Sequence, residues 1–313
     1  MGNEMKLRRF LLVLASLVPL SAAAWSELPA AGAGYTLSGD SERFIARRTN
    51  VEGIVGYEHL DSKTALRYTN LAFSQNGWSR SGEQLRLVSS HIDRKTFDGW
   101  RVEGGLLRQS TRELWTLDAS YRQSLPAGPA VELFANRDIV ETRAALDRGT
   151  YFDFGGVSVD VPLSPQVTLV GLAGYQAFSD DNHRRHVRAR AIWQPSLDLG
   201  LTLQLRYRWY DNSLADVSGA YFNPSRYQEG LFVVGWRQRL ADWRTAITAG
   251  AGRQQVGHDS NTMAQLLEAT AEKQVGRYAV RIKAGYSRAA AAAATSDPDY
   301  WYRYAGADLV VPF

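Results

Sequence analysis

The stretch Leu199-Gly200-Leu201-Thr202-Leu203-Gln204-Leu205-Arg206-Tyr207-Arg208-Trp209 decides the fold. Its odd positions carry Leu199, Leu201, Leu203, Leu205, Tyr207 and Trp209, while Thr202, Gln204, Arg206 and Arg208 hold even ones. Successive side chains of a β-strand point to opposite faces, so this segment has one apolar and one polar face. Its length suits a tilted strand that crosses a bilayer. Turning Arg206 and Arg208 toward lipid would cost roughly 2–4 kcal/mol each near the midplane. The leucine face therefore points to lipid and the arginine face to a lumen. A one-residue slip would invert the strand, so the charges fix its register.

Working outward, the same alternation recurs. Trp115, Leu117, Ala119 and Tyr121 alternate with Thr116, Asp118, Ser120 and Arg122, and Tyr278, Val280, Ile282, Ala284 and Tyr286 alternate around Arg281 and Lys283. The end of the chain repeats it, with Ala305, Ala307, Leu309, Val311 and Phe313 on one face. Trp209, Tyr210, Tyr286, Tyr300, Trp301, Tyr302 and Tyr304 fall near strand ends, where an interfacial aromatic girdle is expected. Only helices and closed barrels satisfy all backbone polar groups in lipid, and no apolar run after the first 24 residues is long enough for a spanning helix. The expected fold is all-β, a transmembrane antiparallel up-and-down β-barrel.

Fifteen strands are legible, near 51–59, 63–73, 83–92, 99–109, 114–123, 130–137, 150–161, 167–178, 183–194, 199–209, 228–239, 242–254, 261–274, 277–287 and 300–313. Short links such as Leu125–Pro129, Pro162–Pro165, Pro195–Asp198, Leu240–Asp242 and Val275–Gly276 alternate with longer connections, as periplasmic turns do with outer loops. Bacterial single-chain barrels have even strand numbers. Sixteen strands are therefore expected, with fourteen as the fallback, and the missing one is sought in Gly34–Leu37 or Glu42–Arg48. The alanine-rich Ala289–Ala294 is placed in an outer loop.

The first 24 residues read as a cleavable secretory signal. Lys6, Arg8 and Arg9 precede the apolar run Phe10–Leu20, and Ala22-Ala23-Ala24 offers a cleavage site, leaving a barrel domain of residues 25–313. Removing this segment lowers the formal charge from +4 to +2, so nothing argues for a nucleic-acid partner. The chain has no cysteine, which excludes disulfides, Cys-ligated metals and a lipidated N-terminal Cys. His183 and His186 are three apart on a strand and point to opposite faces, a poor chelate. No metal, cofactor or catalytic residue is assigned.

The expected lumen carries concentrated positive charge. Arg188 and Arg190 alternate on one strand, Arg206 and Arg208 on the next, Arg237 and Arg239 on the third, with Arg281 and Lys283 near the end. Such a wall attracts anions, or else pairs with acids such as Glu103, Asp118, Glu132, Asp160, Glu268, Glu272 and Asp308 to brace the barrel. The longest internal connection, Tyr210–Tyr227, is the candidate inward-folding loop.

That loop contains Tyr221-Phe222-Asn223-Pro224-Ser225-Arg226-Tyr227. The segment, with the strand order that follows to Phe313, resembles the C-terminal barrels of exopolysaccharide secretion proteins that export cellulose or poly-N-acetylglucosamine. The resemblance implies an outer-membrane export channel for a polysaccharide or another polar or anionic solute. Tyr221, Phe222, Pro224 and Tyr227 would form its gate or sugar track, above Arg206, Arg208 and Arg237. It implies partners too: a separate periplasmic helical-repeat protein and an inner-membrane polysaccharide synthase. Outer-membrane lipid surrounds such a barrel, and the terminal strand ending at Phe313 resembles the signal read by the barrel-assembly machinery. Two alternatives stand beside this reading. His258-Asp259-Ser260-Asn261 resembles the active-site stretch of outer-membrane lipid acyl hydrolases, with His258 as base and Ser260 as nucleophile. A non-conducting structural barrel is the other.

Overall fold

The computed structural model describes residues 28–110, 112–126, 128–196, 198–275, 278–289 and 300–313. The expected signal segment, and all of Ala289–Ala294 but its first residue, lie outside the described residues. Sixteen strands form one closed barrel: β1 (Leu28–Asp40), β2 (Ile45–His59), β3 (Ser62–Gln75), β4 (Trp78–Ile92), β5 (Gly99–Gln109), β6 (Arg112–Ser124), β7 (Ala130–Ile139), β8 (Tyr151–Pro162), β9 (Val167–Phe178), β10 (His183–Ser196), β11 (Leu201–Asn212), β12 (Arg226–Leu240), β13 (Trp243–Val256), β14 (Thr262–Val275), β15 (Tyr278–Arg288) and β16 (Trp301–Pro312). Each strand pairs antiparallel with the next, and β1 closes on β16 from Ala30 opposite Pro312 to Asp40 opposite Tyr302. Closure leaves no sheet edge, which is what lets strands sit in lipid.

The sixteenth strand is β1, which contains Gly34–Leu37, whereas Ile45–Arg48 only opens β2. The reason β1 reads weakly is steric. Its inward positions are small because long polar side chains of its neighbours lie across it. A Cβ on Gly34 would stand 2.6 Å from both Asn50 Nδ2 and Asp308 Oδ1. With only glycine at Gly32 and Gly34 and polar inward residues confined to Thr36, Ser38 and Asp40, the first half of the strand shows no clean alternation.

The two faces sort as the charge argument requires. Leu87, Trp115 and Leu205 are 70%, 71% and 63% exposed on the outer face, where lipid would cover them, while Thr116 on the inner face is 3% exposed. The aromatic girdle needs correction. Tyr210 and Tyr300 are buried and cluster with Phe222 and Tyr227, Tyr302 packs against that cluster, and Tyr304 lies inward over Gly285. Trp209 and Trp301 alternate with these on the outer face, with Tyr286 exposed there too. Position near a strand end does not decide the face; parity does.

The rims differ. One carries the tight turns 60–61, 125–129, 163–166 and 241–242 together with the starts of β1 and the end of β16. The other carries the long connections 140–150 and 213–225. The 140–150 connection holds a single helix among the described residues, α1 (Arg143–Arg148). Thr142 caps it, its side chain accepting from the Ala145 amide, and Gly149 ends it in the left-handed conformation at φ 75°.

Candidate functional site

The mouth on the long-loop rim is covered by a lid of two connections that meet. α1 lies inward. Ala145 and Leu146 are buried, and Leu146 packs into an apolar cluster with Phe44, Ala46, Leu71, Phe73 and Leu107 from β2, β3 and β5 and the short link before β2. Asp147 accepts from Trp78 Nε1 at 3.1 Å and Arg80 at 2.6 Å, and Glu141 pairs with Arg48. These contacts carry α1 from its own strands, β7 and β8, along the rim toward β2–β5.

The 213–225 loop reaches α1 from the other side. Arg148 donates to the carbonyls of Val217 at 2.9 Å and Ser218 at 2.8 Å, and the Thr142 hydroxyl donates to the Ala220 carbonyl. The loop is held at its root by Asn182, which is fully buried. Its amide donates to Asn223 Oδ1 at 2.8 Å and to the Tyr221 hydroxyl at 3.1 Å, and its oxygen accepts from the Leu214 amide at 3.1 Å. The Tyr221 ring stacks on Phe178 at 4.4 Å, and its hydroxyl donates to Asp180. Burial, joined by the Asp180 carboxylate, pushes the Tyr221 phenol up, so it stays a neutral donor. Tyr227 is 0% exposed, stacks on Tyr210 at 4.9 Å and meets Phe222 edge-on. Arg184 lies against both Phe178 and Tyr210 and donates to the Phe222 carbonyl at 2.6 Å. Pro224 is half-buried, its carbonyl accepting from Asn212. The Tyr221, Phe222 and Tyr227 rings are thus buried in the lid's footing, and Tyr221 and Phe222 also border a cavity of about 390 Å³ beside Phe178 and Arg184.

Below the lid the lumen is not filled. A cavity of about 460 Å³ is lined by residues of β1–β7, β15 and β16, and a second of about 700 Å³ by residues of β7–β12, β14 and β15. The first is charge-balanced. Glu52 and Glu103 take Lys63, Arg67, Arg86 and Arg101 between them, and Arg86 also reaches Asp138 at 3.1 Å. Arg281 and Lys283 line this cavity. Arg281 pairs with Glu272 at 2.6 Å and Asp61 at 2.8 Å, and Lys283 stands 3.9 Å from Asp308. Arg188, Arg190, Arg206 and Arg208 line the second cavity. Arg237 and Arg239 share the inward parity of Glu229 and Leu231 but lie nearer the short-turn rim and border neither cavity. The structure therefore splits the basic residues between two walls rather than gathering them at one site.

The short-turn rim has its own cross-lumen tie. Arg94, from the turn 93–98, reaches Glu272 at 3.0 Å and Asp61 at 3.4 Å, six strands around the barrel from β4 to β14. Burial pushes the Asp61 carboxyl up, but the Arg281 and Arg94 guanidiniums more than offset it and hold it below its ordinary value. Arg94, Thr142, Leu146, Arg148 and the Glu52–Arg67 network escaped the sequence reading. The bracket Thr142…Gly149 around Arg-Ala-Ala-Leu-Asp-Arg is a helix start and stop signal that could have found α1.

His258 and Ser260 are both exposed on the 257–261 turn, and no hydrogen bond joins them among the described residues. Among the described residues no group of three or more His, Cys, Asp or Glu is placed to hold a metal ion.

No protein-family model matches the chain, and no curated protein matches it by sequence. Solved structures do. The barrel is similar to one described as a bacterial polysaccharide outer membrane secretin, at TM-score 0.66 and 12% identity, over 92% of this chain and 99% of that one. OccD3 (OpdP) of Pseudomonas aeruginosa matches at TM-score 0.46 and 10% identity over 92% of each chain, and OccAB3 of Acinetobacter baumannii at 0.42 and 11% over 92% of this chain and all of that one. The first likeness shows the fold, and it extends well beyond the hundred or so C-terminal residues whose sequence carries the resemblance.

Proposed function

We propose that this chain is a gated channel in a bacterial outer membrane that passes a polysaccharide or another polar or anionic solute. One observation carries the reading: a sixteen-strand barrel retains charged cavities of about 460 and 700 Å³ beneath a lid to which, among the described residues, two connections contribute. Barrels of this strand number enclose an aqueous channel unless something fills it. In this reading the two cavities belong to one passage, closed by the lid at the long-loop rim and narrowed by the Arg94 tie at the short-turn rim. The long-loop rim faces outward and the short-turn rim faces the periplasm. Residues 1–24 direct export and are removed.

Polymer would enter past Arg94 and Asp61 and leave by displacing the 213–225 loop from α1. An inner-membrane synthase, with or without a helical-repeat protein, would deliver the polymer to the periplasmic rim. The last strand, ending at Phe313, addresses the assembly machinery. Liposome swelling tests the reading. Proteoliposomes with the refolded mature protein should swell slowly in oligosaccharides, and fast once residues 214–223 are replaced by a Gly-Ser linker. Equal, negligible swelling in both would end the channel proposal.

A further inference from the structure

The two lumen walls treat their arginines in opposite ways. On the β2–β5 wall each inward arginine has an acid, and the same holds for Arg281 on β15. On β10 and β11 the register sets Arg188 opposite Arg208 and Arg190 opposite Arg206. Like charges directly across a ladder destabilise it. Of these four, Arg208 alone is paired, with Glu229 at 2.9 Å. Arg188 and Arg190 are exposed to the lumen and have no hydrogen-bond or ion-pair partner among the described residues, and Arg206 bonds only to Gln204. Apart from Glu229, which Arg208 takes, the flanking strands set no acid opposite these arginines. Val170 and Leu172 of β9 stand opposite Arg190 and Arg188, and Leu231 of β12 stands opposite Arg206. Three further acids border the same 700 Å³ cavity: Glu132 on β7 and Glu268 on β14, each three strands away, and Asp160 on β8, which is taken by Arg122 at 2.6 Å; none makes an ion pair with these arginines.

A bracing role does not account for this arrangement, because a bracing arginine is placed against a carboxylate. A strip of arginines held in no ion pair, with its nearest acids across the cavity or already engaged, is what a site for an anion requires. Guanidiniums match carboxylates in a planar, two-bond geometry, and three of them spaced along adjacent strands match repeated carboxylates on a chain better than one isolated anion. We infer that Arg188, Arg190 and Arg206 form a binding subsite for a carboxylate-bearing sugar polymer, a polyuronate. The inference rests on the channel reading for its biological meaning, though binding itself needs no conduction.

The test is calorimetric titration of the refolded mature protein in detergent, both intact and with the 214–223 replacement to guarantee access. The probes are hexagalacturonate, monomeric galacturonate and neutral maltohexaose. Hexagalacturonate should bind at least about tenfold more tightly than maltohexaose and than the monomer, and weaken as salt rises. R188Q/R190Q/R206Q should reduce it to the level of maltohexaose, and Arg188→Gln alone should weaken it severalfold. Arg185→Gln, at the outer rim against Asp211, should leave it unchanged. Thermal unfolding gives a second readout that a structural role would move the other way: Arg188→Gln should melt at or above the wild-type temperature. Equal affinity for charged and neutral hexamers, no binding in either form, or a lower melting temperature with unchanged binding would overturn the inference. Swelling without uronate preference refutes this subsite alone; uronate binding without swelling refutes the channel alone.

Discussion

Arg148→Ala should unlatch the mouth. Its guanidinium makes two hydrogen bonds to the 213–225 loop, at 2.9 and 2.8 Å, and belongs to no strand ladder. Bonds from a charged donor contribute about 1.5–3 kcal/mol when water is excluded. Arg148 is exposed, so solvent competes, and about 1 kcal/mol each is the better figure. Losing both removes about 2 kcal/mol of closure, which lowers the closed-to-open ratio roughly 30-fold. Single-channel dwell times in a planar bilayer measure that ratio directly. Barrel integrity, followed by the heat-modifiable shift on SDS gels, should not change, because all sixteen ladders remain. A ratio within about threefold of wild type, with an intact barrel, would correspond to less than about 0.7 kcal/mol and refute the latch.

Other outcomes follow from the same contacts. Leu146→Ala removes the buried anchor of α1 and should cost about 2–5 kcal/mol of lid docking, seen as faster protease cleavage within 140–150 while the barrel stays resistant. Arg67→Gln leaves Glu52 and Glu103 short of a cation and should destabilise the barrel by about 3 kcal/mol in thermal unfolding, the opposite sign to Arg188→Gln. The Asp61 carboxyl is held below its ordinary value in the folded state, so its contribution is present above the unfolded value near 4 and lost only as pH falls through the lower folded value. The rim tie to Arg94 and Arg281 should therefore persist from pH 7 to 5, and Asp61→Asn should shift stability equally at both pH values; a shift that disappears by pH 5 would contradict it.

The barrel was legible because lipid makes a harsh demand on parity. Arg206 and Arg208 could face only inward, and the alternation around them carried from strand to strand. β1 was harder to see because its Gly34 makes room for Asn50 and Asp308, so its pattern is written in its neighbours. The lid loop stood out by length. Its partner did not, because α1 is six residues long and its recognition of Val217, Ser218 and Ala220 uses their backbone carbonyls, which carry no sequence signal. The basic residues were visible as a set, but their division into a braced wall and an open strip depends on cross-strand register. The pairing of Arg188 with Arg208 and Arg190 with Arg206 is a property of the fold, set by where each strand begins relative to its neighbour. Tyr210 and Tyr300 show the same limit: an aromatic near a strand end belongs to the girdle or to the lid's footing according to a single step in parity.

The most direct test of the account is ionic conductance of the refolded mature protein in a planar bilayer, with and without residues 214–223. A gated channel predicts rare, small openings in the intact protein and a stable, larger, anion-preferring conductance once the loop is removed. Silence in both forms, from barrels shown to be folded and inserted, would mean the lumen does not conduct, and the channel reading would fall.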